Sequence, residues 1–338
     1  MTANDAPLEG ASPRPDPIKA VPVRHPWRWV IAGVLLILAA MLIHTLVFSQ
    51  TQQPNQTGSR FGWSVVGHYL FSTLIMKGVL LTIELTVVSM AAGVILGVMI
   101  AVMRLSRSRL ISGTAWIYVW FFRGTPVLIQ ILFFYFIASL YPHVTIGLPF
   151  GPAFFTLNMN AIVTAFFAGA LALSLNEGAY MSEIVRAGII SVDEGQVEAA
   201  HSLGMTKAKS LRLIVLPQAM RLIIPPTGNE TISMLKTTSL VSVISVAEIT
   251  FAAQQIYAQN YKEIQLLIVA SIWYLTMTTV LSIGQYYLER HYARGSSRAL
   301  PPTPLQRIRL DLFRSRPRAF SMPTTTFEVE HELGAPHD

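Results

Sequence analysis

Six ionisable side chains stand inside stretches that are otherwise apolar: Glu84, Arg123, Glu177, Glu183, Glu230 and Lys236. A charge in hydrocarbon costs about 2.5–3.5 kcal/mol on insertion scales, so each needs an opposite charge, a wet cavity or a bound solute. Glu177, Tyr180, Met181 and Ile184 fall on one face of a helix. Glu177 is therefore a candidate to meet a solute's ammonium group, with Tyr180 beside it and a cation from a neighbouring segment meeting a carboxylate. Glu84 and Glu230 are further pathway candidates, and Lys236 is a candidate to neutralise Glu230. The competing reading is a set of internal salt bridges, which Glu183 and Arg186, three residues apart, fit well. Arg123, Gly124, Thr125 and Pro126 read first as a bend-and-pair element, because proline removes a backbone bond and glycine loosens the turn.

Other chemistry is excluded. The chain has no cysteine, hence no disulfide, thiolate metal site or thiol nucleophile, and its eight histidines include no pair at ligand spacing. It has no Gly-rich phosphate loop ending in Lys-Ser or Lys-Thr, and no HExxH or GxSxG pattern. No catalytic residue, metal or cofactor is expected, and any nucleotide must be bound by a different chain.

The elements carrying these residues are membrane helices. Of 338 residues 52% are hydrophobic and 13% charged, against about 25% charged in soluble domains. The apolar excess is gathered in blocks near the length that crosses a bilayer. The expected spans are 29–48, 79–103, 127–140, 161–181, a proline-broken stretch over 222–249, and 264–288. Six crossings put both ends on one side. Twenty of the 25 Lys and Arg residues then fall on that side and three on the other, which the positive-inside rule makes cytoplasmic. The net charge of +7 thus reflects topology and not nucleic acid binding. Small residues at four-residue spacing, Gly93, Gly97 and Ala101, and Ala161, Ala165 and Gly169, are candidate helix contacts.

The expected organisation is a cytoplasmic tail over 1–28, a first span over 29–48 that reads as a retained anchor, an external linker over 49–76, a core over 77–289 and a basic cytoplasmic tail over 290–338. Within the core, the loop 190–217 is structured. Ser191 followed by Glu194 fits a capping box opening a short helix through Glu198, Ala199, Ala200 and Leu203. Gly204 suits its end, and Thr206 can cap a second helix ending near Pro217. Two short helices under the membrane make a shape that seats in a groove of another protein.

Glu198-Ala199-Ala200, then three residues, Gly204, nine residues and Ile214-Val215-Leu216-Pro217 resemble the EAA loop of permease subunits of ATP-binding-cassette importers. Arg123-Gly124-Thr125-Pro126, Asn176-Glu177-Gly178-Ala179-Tyr180, Gly228-Asn229-Glu230 and Leu235-Lys236-Thr237-Thr238-Ser239-Leu240 resemble the subgroup that handles histidine, glutamine, arginine, glutamate and opines. The resemblance spans 77–289. With the first span outside it, the all-α membrane protein has six expected transmembrane helices, and the resemblance implies that five of them form a type I importer permease core in a bacterial inner membrane. It also implies partners: two ATPase subunits that bind the ATP, a second permease subunit, identical or homologous, an extracytoplasmic solute-binding protein and a polar amino acid. Glu198, Ala199, Ala200, Gly204, Ile214 and Pro217 would belong to the coupling loop docked on the ATPase. An ion-coupled secondary amino acid carrier is the rival reading; it could use the same carboxylates, but it leaves this loop unexplained.

Overall fold

A computed structural model describes residues 27–48, 62–147 and 153–292. The two tails, apart from 27–28 and 290–292, and the first part of the linker lie outside the described residues. The chain divides near Ile43 into two units. Helix α1 (Trp27–Phe48), nearly all in the first, is apolar from Trp29 to Thr45 and is described by itself.

The second unit is a helical bundle. It opens with α2 (Trp63–Leu70) and α3 (Thr73–Arg104), so residues 63–76, expected within a linker, are folded. Amphipathic α2 buries Val66, and the Trp273 indole N–H donates to Leu70 O at its end, 2.8 Å. Then follow α4 (Arg109–Gly124) and α5 (Val127–Leu140), antiparallel strands β1 (His143–Gly147) and β2 (Ala153–Asn158), α6 (Met159–Ile162) and α7 (Ala165–Ile190). The loop forms α8 (Glu194–Ser202) and α9 (Lys207–Ser210). A π-helical turn, Leu211–Val215, leads into α10 (Leu216–Thr237), a 3₁₀ segment (Thr238–Ile244), α11 (Ile249–Asn260) and α12 (Glu263–Tyr292).

By length and composition α3 and α12 qualify as spans, and α4–α5 and α10–α11 as bent pairs. Helix α7, 26 residues long, is less apolar because Asn176, Glu177 and Glu183 interrupt it. The predicted spans map onto α1, α3, α4–α5, α7, α10–α11 and α12, with four differences. The third expected span, 127–140, is one arm of a pair of helices, α4 and α5, that meet at 104°. The expected span 161–181 shifts to Ala165–Ile190, because Thr164 caps α7 by accepting from Phe167 N, 3.2 Å. Ala161 therefore lies on the separate helix α6 and cannot share a stripe with Ala165 and Gly169. The proline pair does not break its span: α10 runs through Pro225 and Pro226, with Thr227 donating to Ile223 O (2.7 Å) and Gln285 Nε2 to Pro225 O (3.3 Å). The carbonyls that lose a donor to these prolines are those of Arg221 and Leu222, one turn earlier, and the two bonds named add side-chain support to the same stretch of the helix. The break comes later, where Ser245 takes a left-handed φ of 63°. Finally, the β1–β2 hairpin adds two strands to an all-α expectation.

Helices α3 and α7 run parallel and share the most extensive contact of the bundle. Gly93 lies against Glu177 and Gly97 against Met181, while Ala101, wholly buried, continues the stripe. A methyl group at Gly93 would stand 2.6 Å from Glu177 Cγ, and one at Gly97 would overlap the Met181 side chain. Apolar clusters surround this pair. One joins α2, α3, α11 and α12 around Ile75, Ile249 and Leu266; a second joins α3, α5, α7 and the 3₁₀ segment around Leu85, Ile131 and Leu173; a third seals the end near α8 with Val185, Val192 and Ala219.

The stripe makes a graded prediction. Gly97→Val forces the two helices apart, and overpacking of this kind costs about 1–3 kcal/mol; Gly113→Ala, with open space around it, costs nothing. Thermal unfolding in detergent should show a lowered midpoint for the first variant only. Equal midpoints would deny the close approach.

Candidate functional site

The sharp corner between α4 and α5 begins with sequence. Thr125, preceding Pro126, is held in extended backbone (φ −112°, ψ 142°), which ends α4, and Pro126 starts α5. Gln130, buried one turn into α5, locks the corner: its Nε2 donates to Phe122 O (2.9 Å) and reaches Thr125 O (3.1 Å) and Oγ1 (2.7 Å). Asn176 of α7 donates to Phe122 O (2.9 Å) and lies 3.3 Å from Gln130 Oε1. The Tyr118 hydroxyl donates to Leu175 O, 2.7 Å, fastening α4 to α7.

This corner forms one wall of a cavity of about 610 Å³. Arg123, Gly124, Thr125 and Pro126 line it from the corner, Asn176, Glu177 and Tyr180 from α7, and Glu230, Ser233 and Thr237 from α10. Seven residues singled out from the sequence thus meet in one place: Arg123, Gly124, Thr125, Pro126, Glu177, Tyr180 and Glu230. The Arg123 guanidinium stands 5.0 Å from the centre of the Tyr180 ring, a cation–π distance. Glu177 is only 4% exposed and its Oε1 has no hydrogen-bond partner. Glu230 lies within electrostatic reach of both Arg123, which attracts it, and Glu177, which repels it.

Two of the charges behave otherwise. Glu84 is exposed on α3 and does not line the cavity. Lys236 is also exposed and outside it, so the cation facing Glu230 is Arg123. Residues 230 and 236 are six apart, which puts them on different faces of α10. Glu183 is bridged by Arg104 (3.1 Å) and Arg186 (2.8 Å), tying the end of α3 to α7.

The loop has its own geometry. Asp193, not Ser191, caps α8, accepting from Gly195 N at 2.8 Å; the Ser191 hydroxyl instead donates to Gly188 O of α7, 2.7 Å. Gly204 has φ +77°, and Gly204 N→His201 O (2.9 Å) with Met205 N→Ala200 O (3.0 Å) completes a Schellman end. Thr206 caps α9 through Lys209 N. Pro217 does not end a helix: Leu216 N bonds back five residues to Leu211 O, and this π-helical widening admits the ring into a continuing helix. Ile214 lies in that turn. Glu198, Ala199 and Gly204 are exposed, and Leu203 is 84% exposed, whereas Ala200 turns inward and is buried. Gln218 of α10 donates to Gln196 of α8.

Sequence reasoning passed over Ser233 in the cavity wall, where Thr237 was named only as part of a motif, and also Gln130 at the corner and Glu248. The last is fully buried, accepts from Thr250 N (2.8 Å), Phe251 N (2.9 Å) and the Tyr274 hydroxyl (2.7 Å), and so pins α11 to α12. A polar residue inside an apolar run was the available signal for Gln130 and Glu248 alike.

Residues 93–294 match the family described as the binding-protein-dependent transport system inner membrane component, and the chain belongs to it. It is thus a transport permease, not an enzyme. The arginine transport system permease protein ArgU of Corynebacterium glutamicum is 44% identical over 85% of this chain and 87% of its own length. The L-cystine transport system permease protein TcyB of Bacillus subtilis is 37% identical over 70% and 94%. Among solved structures, a chain of an amino acid ABC transporter with histidines is 36% identical, with a TM-score of 0.57 over 68% of this chain and 97% of that one. The methionine transporter MetNI, 16% identical with a TM-score of 0.51 over 65% and 97%, shares the fold.

The corner lock is testable. Gln130→Leu keeps the volume but removes the bonds to the Thr125 carbonyl and hydroxyl and one of the two to the Phe122 carbonyl, which keeps Asn176 as its donor, and a buried group left unpaired costs about 1–3 kcal/mol. The unfolding midpoint in detergent should fall, and retention of the parent midpoint would show that Gln130 does not hold the corner.

Proposed function

We propose that this chain forms the translocation pathway of an ATP-driven importer of polar amino acids, and that the cavity between the α4–α5 corner, α7 and α10 takes the amino acid during passage. The observation that carries this is the buried, unpartnered oxygen of Glu177 in a cavity that also holds Arg123. An α-amino acid presents an ammonium and a carboxylate together, so it needs an anion and a cation held apart in one wet site, and charge-assisted bonds to both are the strong kind. The named relatives handle arginine and L-cystine, which supports the substrate class. Glu230 supplies a second anion, which favours amino acids carrying extra positive charge. Glu84, exposed on α3, we leave out of the pathway.

The turn from Glu198 to Gly204 is the surface offered to a separate ATPase, placed on the cytoplasmic side with both chain ends. Glu198, Ala199, Gly204 and Leu203 would make the contact, while Ala200 packs inward and Ile214 and Pro217 shape the helix behind. Two ATPase subunits, a second permease subunit and an external binding protein complete the assembly. Nucleotide-driven closure of the ATPases would move α8, and the bundle would alternate between two states that the solute and the nucleotide favour differently.

Proteoliposomes holding the assembled importer test this. Uptake should stop without ATP and persist when ion gradients are collapsed; the reverse dependence would identify an ion-coupled carrier. Gly204→Asp meets no atom of this chain, and its side chain strains only the exposed left-handed turn at φ +77°, so the bundle should still assemble and ATP hydrolysis continue while uptake falls. Unchanged uptake would remove the turn from the docking surface.

A further inference from the structure

The β1–β2 hairpin takes no part in the cavity or in the cytoplasmic turn. Its register pairs His143 with Asn158, Val144 with Leu157, Thr145 with Thr156 and Ile146 with Phe155. Side chains alternate across a strand, so Val144, Leu157 and Phe155 share one face and His143, Thr145, Thr156 and Asn158 the other. The Thr145 and Thr156 hydroxyls meet at 3.3 Å on the polar face. Phe154, beside the bulge at Ile146/Gly147, is the exception to that pattern. The described strands carry no Asp, Glu, Lys or Arg.

The apolar face is open: Val144 is 37% exposed and Phe155 54%. A lone two-stranded hairpin is marginal in water and needs a further layer against its apolar side. Its attachment says what that layer is. Only Tyr141 and Pro142 separate β1 from the end of α5, and β2 passes directly into α6, with Met159 N donating to Pro142 O (2.9 Å) across the base. Two residues reach at most about 7 Å, so the hairpin begins at the level where a membrane-spanning pair leaves the hydrocarbon. Exposed Tyr141 at that level is typical of the aromatic belt. An uncharged amphipathic element there can bury its apolar side in the boundary between headgroups and acyl chains without desolvating a charge.

The geometry points to a lipid-anchored hairpin: it lies flat on the bilayer, with Val144, Phe155 and Leu157 turned into the acyl boundary and His143, Thr145, Thr156 and Asn158 turned to water. This rests on membrane insertion of the bundle, and not on the amino acid or the ATPase.

The absence of cysteine permits single-site labelling. Val144→Cys, Phe155→Cys, Thr145→Cys and Thr156→Cys, each carrying a polarity-sensitive fluorophore, would be reconstituted as full chains in phosphatidylcholine–phosphatidylglycerol liposomes. Ile95→Cys and Leu275→Cys, exposed on α3 and α12, serve as insertion controls. Quenching by headgroup-proximal spin-labelled lipid should be about threefold stronger at 144 and 155 than at 145 and 156, with the opposite order for aqueous iodide. Equal quenching of the two pairs while the controls report lipid would overturn the anchor and leave the membrane reading standing. Shielding of 144 and 155 only after a binding protein is added would also overturn it, in favour of a protein contact. Controls open to iodide would defeat the membrane reading and the anchor together.

Discussion

The close parallel approach of α3 and α7 is the contact on which the rest of the structure depends. Lipid tails are as apolar as the helices they surround, so helices associate by packing and not by escape from water. Gly93 and Gly97 supply that packing by having nothing to interpose. The same absence makes room for the stem of Glu177, which could not lie where it does if residue 93 carried a side chain. One contact therefore both holds the bundle and buries the carboxylate.

Polar groups within the bundle sort into two kinds. Glu248, Gln130 and Asn176 are bonded, and each fastens one helix or corner to another. Glu177 Oε1 is not bonded, and it stands at the wall of a cavity that holds a cation. An unmet buried oxygen costs free energy in the empty protein, and a solute's ammonium would recover it. The two acidic walls are carried by α7 and α10, the helices to which α8 is joined, by chain continuity through Val192 and by the Gln218–Gln196 bond respectively. A displacement of α8 thus has a mechanical route to both Glu177 and Glu230.

Much of this was legible in residue spacing. Helical periodicity put Glu177 and Tyr180 on one face, Gly204 marked a left-handed turn, and the family motifs named most of the cavity wall. What spacing could not show was direction. Nothing in the sequence around Glu84 says that its face turns away from the cavity, and Arg123 read as a bend element until α7 and α10 were placed opposite it. Local rules also competed. Ser191 and Asp193 are both capping residues, and Asp193 prevails because Ser191 is occupied by the end of α7. Pro217 reads as a stop only if the preceding turn is α-helical, which it is not. The hairpin was hidden because apolar–polar alternation over 143–146 and 155–158 is short and flanked by longer apolar runs.

Initial rates of amino acid uptake by the reconstituted importer, with parent chain and with Glu177→Gln, test the central claim most directly. Loss of a charge-assisted bond of about 1.5–3 kcal/mol predicts uptake of cationic and zwitterionic amino acids weakened about tenfold or more, with assembly and ATP hydrolysis retained. Identical kinetics for the two proteins would contradict the account, since the buried oxygen would then face nothing that is carried.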